Sequence, residues 1–525
     1  MIKLLWLILP LTLFAKEITL EFLKSKPRST ARDYYIWRYL DQNITPAQAQ
    51  HALTLAKRVN KKILLHYAQK IDDNATKRAV LCLYKPLSQL IKEDNACLAA
   101  GMNIAKASLL QTKKRIALFK RLTGFSIQQD IKFMLTNNPF GVLHNNPQKF
   151  LEIFLGSSSK YRKKYFNRAY SKEFLKKLSQ YPAFNAFATT AIFEEHNKIV
   201  FSLIRLSPQY FNAKSAFYIG LAAFKRGYPH IAQSFLQRSL AKAYFKKDRD
   251  KALFWLYKIT KKQIFLDKLL KSKDLNIYTL LASYITGNEY TNFYTPQLKG
   301  KKKIKLKDPF VWLAIKKRIS SEDLTKLKKE FSYRNTQNVY AIIDEKLSSY
   351  TRHPFILPYE KYLQDQNTSQ KALIYAIAKQ ESRFIPSAIS SSYALGAMQF
   401  LPFLAKHIAK KQKIKNFDLD MMFDEKIALT FAKHHLHYLQ SYLYHPLLVA
   451  YAYNGGIGYT KRSVIKIFHK YEPLMAMEMI PSNENREYGK NVLANYIIYM
   501  KIFGKNLNLP HIVQMLQRPE DSCGF

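Results

Sequence analysis

"SAFYIGLAAFKRGYPHIAQSFLQRSLAKA", residues 215–243, decides the fold class. A helix runs through its apolar first half and ends at Lys225-Arg226-Gly227, where the glycine suits a left-handed cap. A second helix carries Ile231, Phe235, Leu236 and Leu240 on one face. "RDKALFWLYKITKKQ", residues 249–263, follows with Ala252, Leu253, Leu256 and Ile259. Such hairpins bury their apolar faces only by stacking on neighbours, which leaves a long curved surface. From about residue 30 to 270 the chain keeps this character without a clean fixed period, so degenerate helical hairpins are expected.

The bulk numbers agree with an all-α, mainly helical protein. The 525 residues are enough for two to four domains, and only 15 are glycine. "LKGKKKIKLKDP", residues 298–309, reads as a solvated linker, with contact to an anionic polymer as the alternative. "RHPFILPYEKY", residues 352–362, opens a further domain, because Pro354 and Pro358 interrupt any helix. The expected order is an α-superhelical solenoid over 16–272, a helical linker domain over 273–350 and a C-terminal α domain over 351–525.

Ahead of these, MIK, the apolar run LLWLILPLTLF and Ala15-Lys16 fit a secretory signal peptide over 1–15. Leu13 is large for its place before the cut, so a retained anchor is the alternative. No later segment is long and apolar enough to span a bilayer, so the mature chain is expected to be exported, without a membrane span. The net charge of +47 favours polyanionic partners, and export argues against nucleic acid. Cell-wall peptide carboxylates would suit, while a generally lysine-rich proteome would give the same balance. In an oxidising compartment Cys82 and Cys97 could pair across a hairpin; buried thiols are the alternative, and Cys523 has no assigned role.

Chemistry concentrates after residue 352. "IYAIAKQESRF", residues 374–384, places Glu381 at the end of an apolar helical stripe through Leu373 and Ile377, capped by Thr368 or Ser369. Desolvation and the helix dipole both favour its neutral form, which makes a proton donor near neutral pH unless Arg383 folds back onto it. From Ser382 to Phe417 there is no Asp or Glu, so the second carboxylate that most glycosidases use is missing nearby; Glu484 is the distant candidate. "SSSYALGAMQFLP", residues 390–402, sets Gly396 before Met398 and Gln399, a backbone and amide suited to a polar ligand. "AYAYNGGIG", residues 450–458, sets Tyr453 and Asn454 before two glycines, and a phenol there can bond a carboxyl group or stack on a sugar.

Together these stretches resemble the lytic transglycosylases of the goose-type lysozyme fold, the SLT family. Its motifs stand here as Glu381-Ser382, Gly396-Ala397-Met398-Gln399 and Ala452-Tyr453-Asn454-Gly455-Gly456. "IPSNENREYGKNVL", residues 480–493, matches a fourth. The motif resemblance covers about 352–505, and the hairpins before it match the family's superhelical members more weakly. It implies a lysozyme-like C-terminal domain, peptidoglycan glycan strands as substrate, the periplasm as location and no cofactor. Glu381 would protonate the bond between N-acetylmuramic acid and N-acetylglucosamine, then act as base on the muramic acid 6-hydroxyl, giving a 1,6-anhydro end. Tyr453 would bond Glu381 or the reacting sugar, and Ser390, Met398, Gln399 and Asn454 would line subsites. Glu484 would meet the substrate peptide or order the groove. Departures from the family pattern are Ala397 for Leu, Leu401 for Met, Gly455 for Ala, Asn485 for Thr, Glu487 for a small residue and Gly489 for Val.

"KHHLHYLQSYLYHP", residues 433–446, lacks zinc-ligand spacing, so no metal is expected. Most of the aromatic side chains sit within apolar stripes and read as core. Three rival readings remain: a hydrolytic muramidase of the same fold, a non-catalytic wall-binding scaffold, and nucleic-acid binding by the solenoid. Partners in wall synthesis or secretion are not specified by the sequence.

Overall fold

The computed structural model describes residues 17–519; the expected signal peptide and Cys523 lie outside them. The protein is all-α: helices follow one another throughout, and among the described residues only isolated β-bridges occur. The hairpin that opened the sequence reading is formed by Ala213–Lys225 and Pro229–Lys242. Asn212 caps the first helix through the Ser215 amide, Gly227 turns the chain with φ +78°, and Pro229 starts the second. The buried face of the second helix is Ala232, Phe235, Leu236 and Ser239, while Ile231 and Leu240 are half-buried. The face is rotated towards small residues because the helices approach closely. A Cβ on Gly220 would stand 3.0 Å from the Leu236 side chain and 3.2 Å from the Ala232 carbonyl.

The chain forms two compact units, each built from separated segments. The first joins the described residues up to Asp73 with Thr295–Leu347 and Phe355–Tyr442. Within it the linker helices Pro309–Ser321, Leu324–Glu330 and Gln337–Leu347 share one core, in which Ile315, Ile319, Leu327, Phe331, Val339 and Ile343 meet Ile385. That residue lies just beyond Glu381, so the linker supports the end of the candidate helix. The N-terminal helix Thr30–Tyr39 reaches the Phe355–Tyr442 segment by polar contacts and ring stacking. Tyr34 and Tyr35 donate to the Asp420 carboxylate at 3.0 and 3.1 Å, and Arg38 pairs with Asp420 at 2.7 Å and also with Asp418. Trp37 stacks on Tyr393 with centroids 5.5 Å apart, and Asn60 donates to the Tyr393 hydroxyl at 2.8 Å.

The second unit joins Asn74–Tyr294 and Ser348–Pro354 with the described residues from Leu443 onward. Its hairpins pack through aromatic rings such as Phe154 and Phe187, 4.7 Å apart. Cys82 and Cys97 form a disulfide joining helices Asn74–Tyr84 and Asn95–Gly101, which settles the alternative left open by the sequence. No described helix is long and apolar enough to cross a membrane.

Candidate active site

The helix Thr368–Ser382 is capped by Asn367 in a capping box with Gln370, not by Thr368 or Ser369. Asn367 wins because its side chain reaches the Gln370 amide while Gln370 reaches back to the cap. From Ala372 to Ala378 every residue is buried, so the helix is enclosed on all sides and not only along the expected stripe. Glu381 lies in the last turn and is half-buried.

Glu381 has two cationic neighbours in sequence, and both are engaged by another carboxylate. Glu345, buried on the helix Gln337–Leu347, pairs with Lys379 at 3.2 Å and with the Arg383 guanidinium at 3.0 Å. Arg383 is the left-handed cap of the helix, with φ +52°. Burial pushes the Lys379 ammonium below its usual range, and its charge also lies 4.6 Å from the Phe355 ring. Sequence reasoning missed Glu345, since nothing in the motifs points to a linker helix.

Ser382 ties this helix to the next motif by donating to the Ala397 carbonyl at 2.7 Å. The 388–400 segment is a compact set of turns. Gly396 donates its N–H to the Ala388 carbonyl, and Leu395 and Phe400 exchange N–H···O bonds at 3.0 Å. Only glycine fits at 396: φ is +78°, and a Cβ would stand 2.1 Å from the Met422 carbonyl oxygen. The side-chain N–H groups of Gln399 donate to the Gly396 and Ala388 carbonyls at 2.8 and 3.1 Å, so that end of the amide braces its own loop. The Ser390 hydroxyl accepts from the Ala394 and Ser392 amides, and Met398 is fully buried. All four residues, Glu381, Ser390, Met398 and Gln399, belong to the first unit.

The remaining candidates, Tyr453, Asn454 and Glu484, belong to the second unit. Tyr453 and Asn454 end the helix Pro446–Gly455, both half-buried, and Gly456 turns the chain with φ +85°. Asn454 donates to exposed Glu484 at 3.4 Å and accepts from Asn485 at 3.1 Å; Asn485 also donates to the Tyr451 carbonyl at 2.9 Å. These contacts account for two departures together. A Cβ on Gly455 would stand 2.7 Å from the Asn485 amide nitrogen, so the smaller residue makes room for the larger one. At Gly489 a Cβ would fall 2.1 Å from the Tyr451 ring, so a valine cannot sit there beside this tyrosine.

Glu487 belongs to a buried charge cluster in the second unit. Glu478, wholly buried, accepts from Lys490 at 2.5 Å and from the Tyr278 hydroxyl, with Lys251 3.8 Å away. Glu487 pairs with Lys490 at 3.1 Å, and the Arg486 guanidinium lies 5.0 Å from the Phe193 and Tyr218 rings. Burial opposes ionisation of both acids, yet the surrounding cations keep both carboxyls below the usual range, Glu487 at about 2. Of the histidines, His445 is wholly buried and structural: its ring accepts from the Leu447 amide and meets the Ile512 carbonyl, and burial pushes it down to about 4. Among the described residues no group of three or more His, Cys, Asp or Glu is placed to hold a metal ion.

Residues 358–470 match the family model for the transglycosylase SLT domain. The chain is similar to the soluble lytic murein transglycosylase of Salmonella typhimurium, at 28% identity over 174 residues, 32% of this chain and 27% of that protein. It is 33% identical over 147 residues to a putative soluble lytic murein transglycosylase of Haemophilus influenzae, covering 28% of this chain and 24% of that protein. The match thus spans about a quarter of the length of these curated relatives. Among solved structures, the 70 kDa soluble lytic transglycosylase from Escherichia coli aligns with a TM-score of 0.44 at 16% identity, over 93% of this chain and 84% of that one.

Proposed function

We propose that this protein is a peptidoglycan lytic transglycosylase, exported to the periplasm by residues 1–15. In this reading 16–272 form the superhelical domain, 273–350 the linker and 351–525 the catalytic domain. The observation that carries it is Glu381 at the end of a buried helix, tied through Ser382 to the Gly396 loop, inside a matched SLT domain. The Glu381 carboxyl gives its proton to the glycosidic oxygen as the bond from that oxygen to the muramic acid anomeric carbon breaks. The resulting carboxylate takes the proton of the muramic acid 6-hydroxyl as its oxygen closes on the same carbon. The acid is regenerated and no water is consumed. Holding the two reacting groups in one sugar supplies the proximity advantage. Tyr453 acts as a hydrogen-bond partner of the reacting sugar, and Asn454 and Glu484, bonded to each other, meet the substrate.

Glu345 pairs with both Lys379 and Arg383, which anchors the last turn of the helix that carries Glu381. The test is turnover of purified murein. Glu381→Gln is expected to fold and bind glycan with nearly all turnover lost, and Tyr453→Phe to slow it less. Wild-type rates in Glu381→Gln would overturn the assignment.

A further inference from the structure

The first unit contains a cavity of about 1140 Å³ that the mechanism does not use. The basic linker forms one wall, and the 357–364 segment, at the start of the matched SLT stretch, forms another. Lys301, Lys305, Lys307, Arg334, Lys361 and Lys371 all line it, against only three carboxylates, Asp308, Glu360 and Glu425. Two of these acids are already engaged: Asp308 caps the helix Pro309–Ser321, and Glu425 pairs with Lys307 at 2.9 Å. Among the described residues, Lys301, Lys305, Arg334 and Lys371 are not held in any ion pair. Four like charges gathered around one concavity repel one another, so the cavity gains by taking up negative charge.

The rest of the lining says which kind of anion fits. Asn335, Gln337 and Gln364 offer amide donors and acceptors between the cations, and Tyr359 and Tyr362 supply apolar walls. Carboxamides match a peptide backbone, and spaced lysines match isolated carboxylates. The volume exceeds the roughly 300–1,000 Å³ of ordinary small-molecule sites, which suits a chain segment. We infer that this groove binds the acidic peptide stems of the cell wall, as a second substrate site apart from the glycan-cleaving residues. The inference rests on the proposed function. Lys371 and Glu381 share one helix, ten residues apart and hence roughly 15 Å along its axis. An extended peptide of four or five residues also spans roughly 15 Å, so a stem is long enough for that separation.

The experiment measures binding of a fluorescent, sugar-free murein stem tetrapeptide to the full chain carrying Glu381→Gln, so that turnover plays no part. In that background the triple change Lys301→Ala, Lys305→Ala and Arg334→Ala is expected to weaken peptide binding about tenfold, the sum of three exposed charge contacts. The control Lys113→Ala, Lys114→Ala and Lys120→Ala removes the same charge from an exposed helix of the second unit and is expected to leave binding within about twofold. Equal affinity in the groove variant and its parent overturns the inference, as does equal weakening by both triples. A single-stranded oligonucleotide that binds the groove more tightly than the peptide does also overturns it, in favour of a nucleic-acid site. None of these outcomes touches the assignment of Glu381, which turnover tests separately.

Discussion

Glu478 in the second unit and Glu381 in the first are both carboxylates on largely buried helices, but Glu478 is wholly buried and Glu381 half-buried. Glu478 meets Lys490, Lys251 and the Tyr278 hydroxyl directly, so it stays ionised despite complete burial. Beside Glu381 the two nearest cations in sequence are taken by Glu345. Burial alone therefore does not mark a proton donor. A wholly buried carboxylate held by cations serves the structure, whereas a candidate acid keeps a face open to its substrate.

The contrast can be broken most strongly at Glu381. Glu381→Gln is expected to reduce murein turnover by at least about a hundredfold, the low end for loss of a general acid, with thermal unfolding unchanged. Lys490→Ala should do the reverse. It leaves Glu478 buried and poorly compensated, so urea unfolding should register a loss of about 3–5 kcal/mol. A variant as stable as wild type would show that the cluster contributes little to the second unit. Reducing the Cys82–Cys97 bond, which closes a loop of 15 residues, should cost about 3 kcal/mol in the same assay.

Asp250 sharpens the comparison through pH. It is a buried acid of the second unit whose partners are the neutral Ser272 and Asn276 side chains, and burial raises it to about 6. Since the folded value lies above the unfolded one, its contribution is full below about pH 4 and is lost as pH rises through 6. Wild type should lose roughly 2–3 kcal/mol relative to Asp250→Asn between pH 4 and 7. A pH-independent difference between the two proteins would contradict this. The smallest effect is expected at Gly489→Ala, about 1–3 kcal/mol of overpacking against Tyr451, read as a lowered melting temperature with the Cys82–Cys97 bond intact.

The sequence revealed the elements better than their arrangement. The 215–243 hairpin was legible because Gly227 and a helical apolar period are local signals. The rotation of its buried face was not, since it depends on how closely Gly220 lets Leu236 approach. Glu381 and the Gly396 loop were legible as motifs, and the left-handed backbone at Gly396 explains why a glycine stands there. Glu345 was hidden because its partners lie on another helix, and pairing across such a sequence distance leaves no periodic trace. The gathering of residues before Asp73 with the 355–442 segment, through Arg38 and Asp420, was hidden for the same reason.

The most direct test of a single carboxylate serving both steps is digestion of purified murein in ¹⁸O-labelled water, followed by mass spectrometry of the products. Intramolecular attack predicts anhydro ends lighter by one water and free of label. Reducing ends that carry the heavy oxygen would contradict the account and assign the chemistry to hydrolysis.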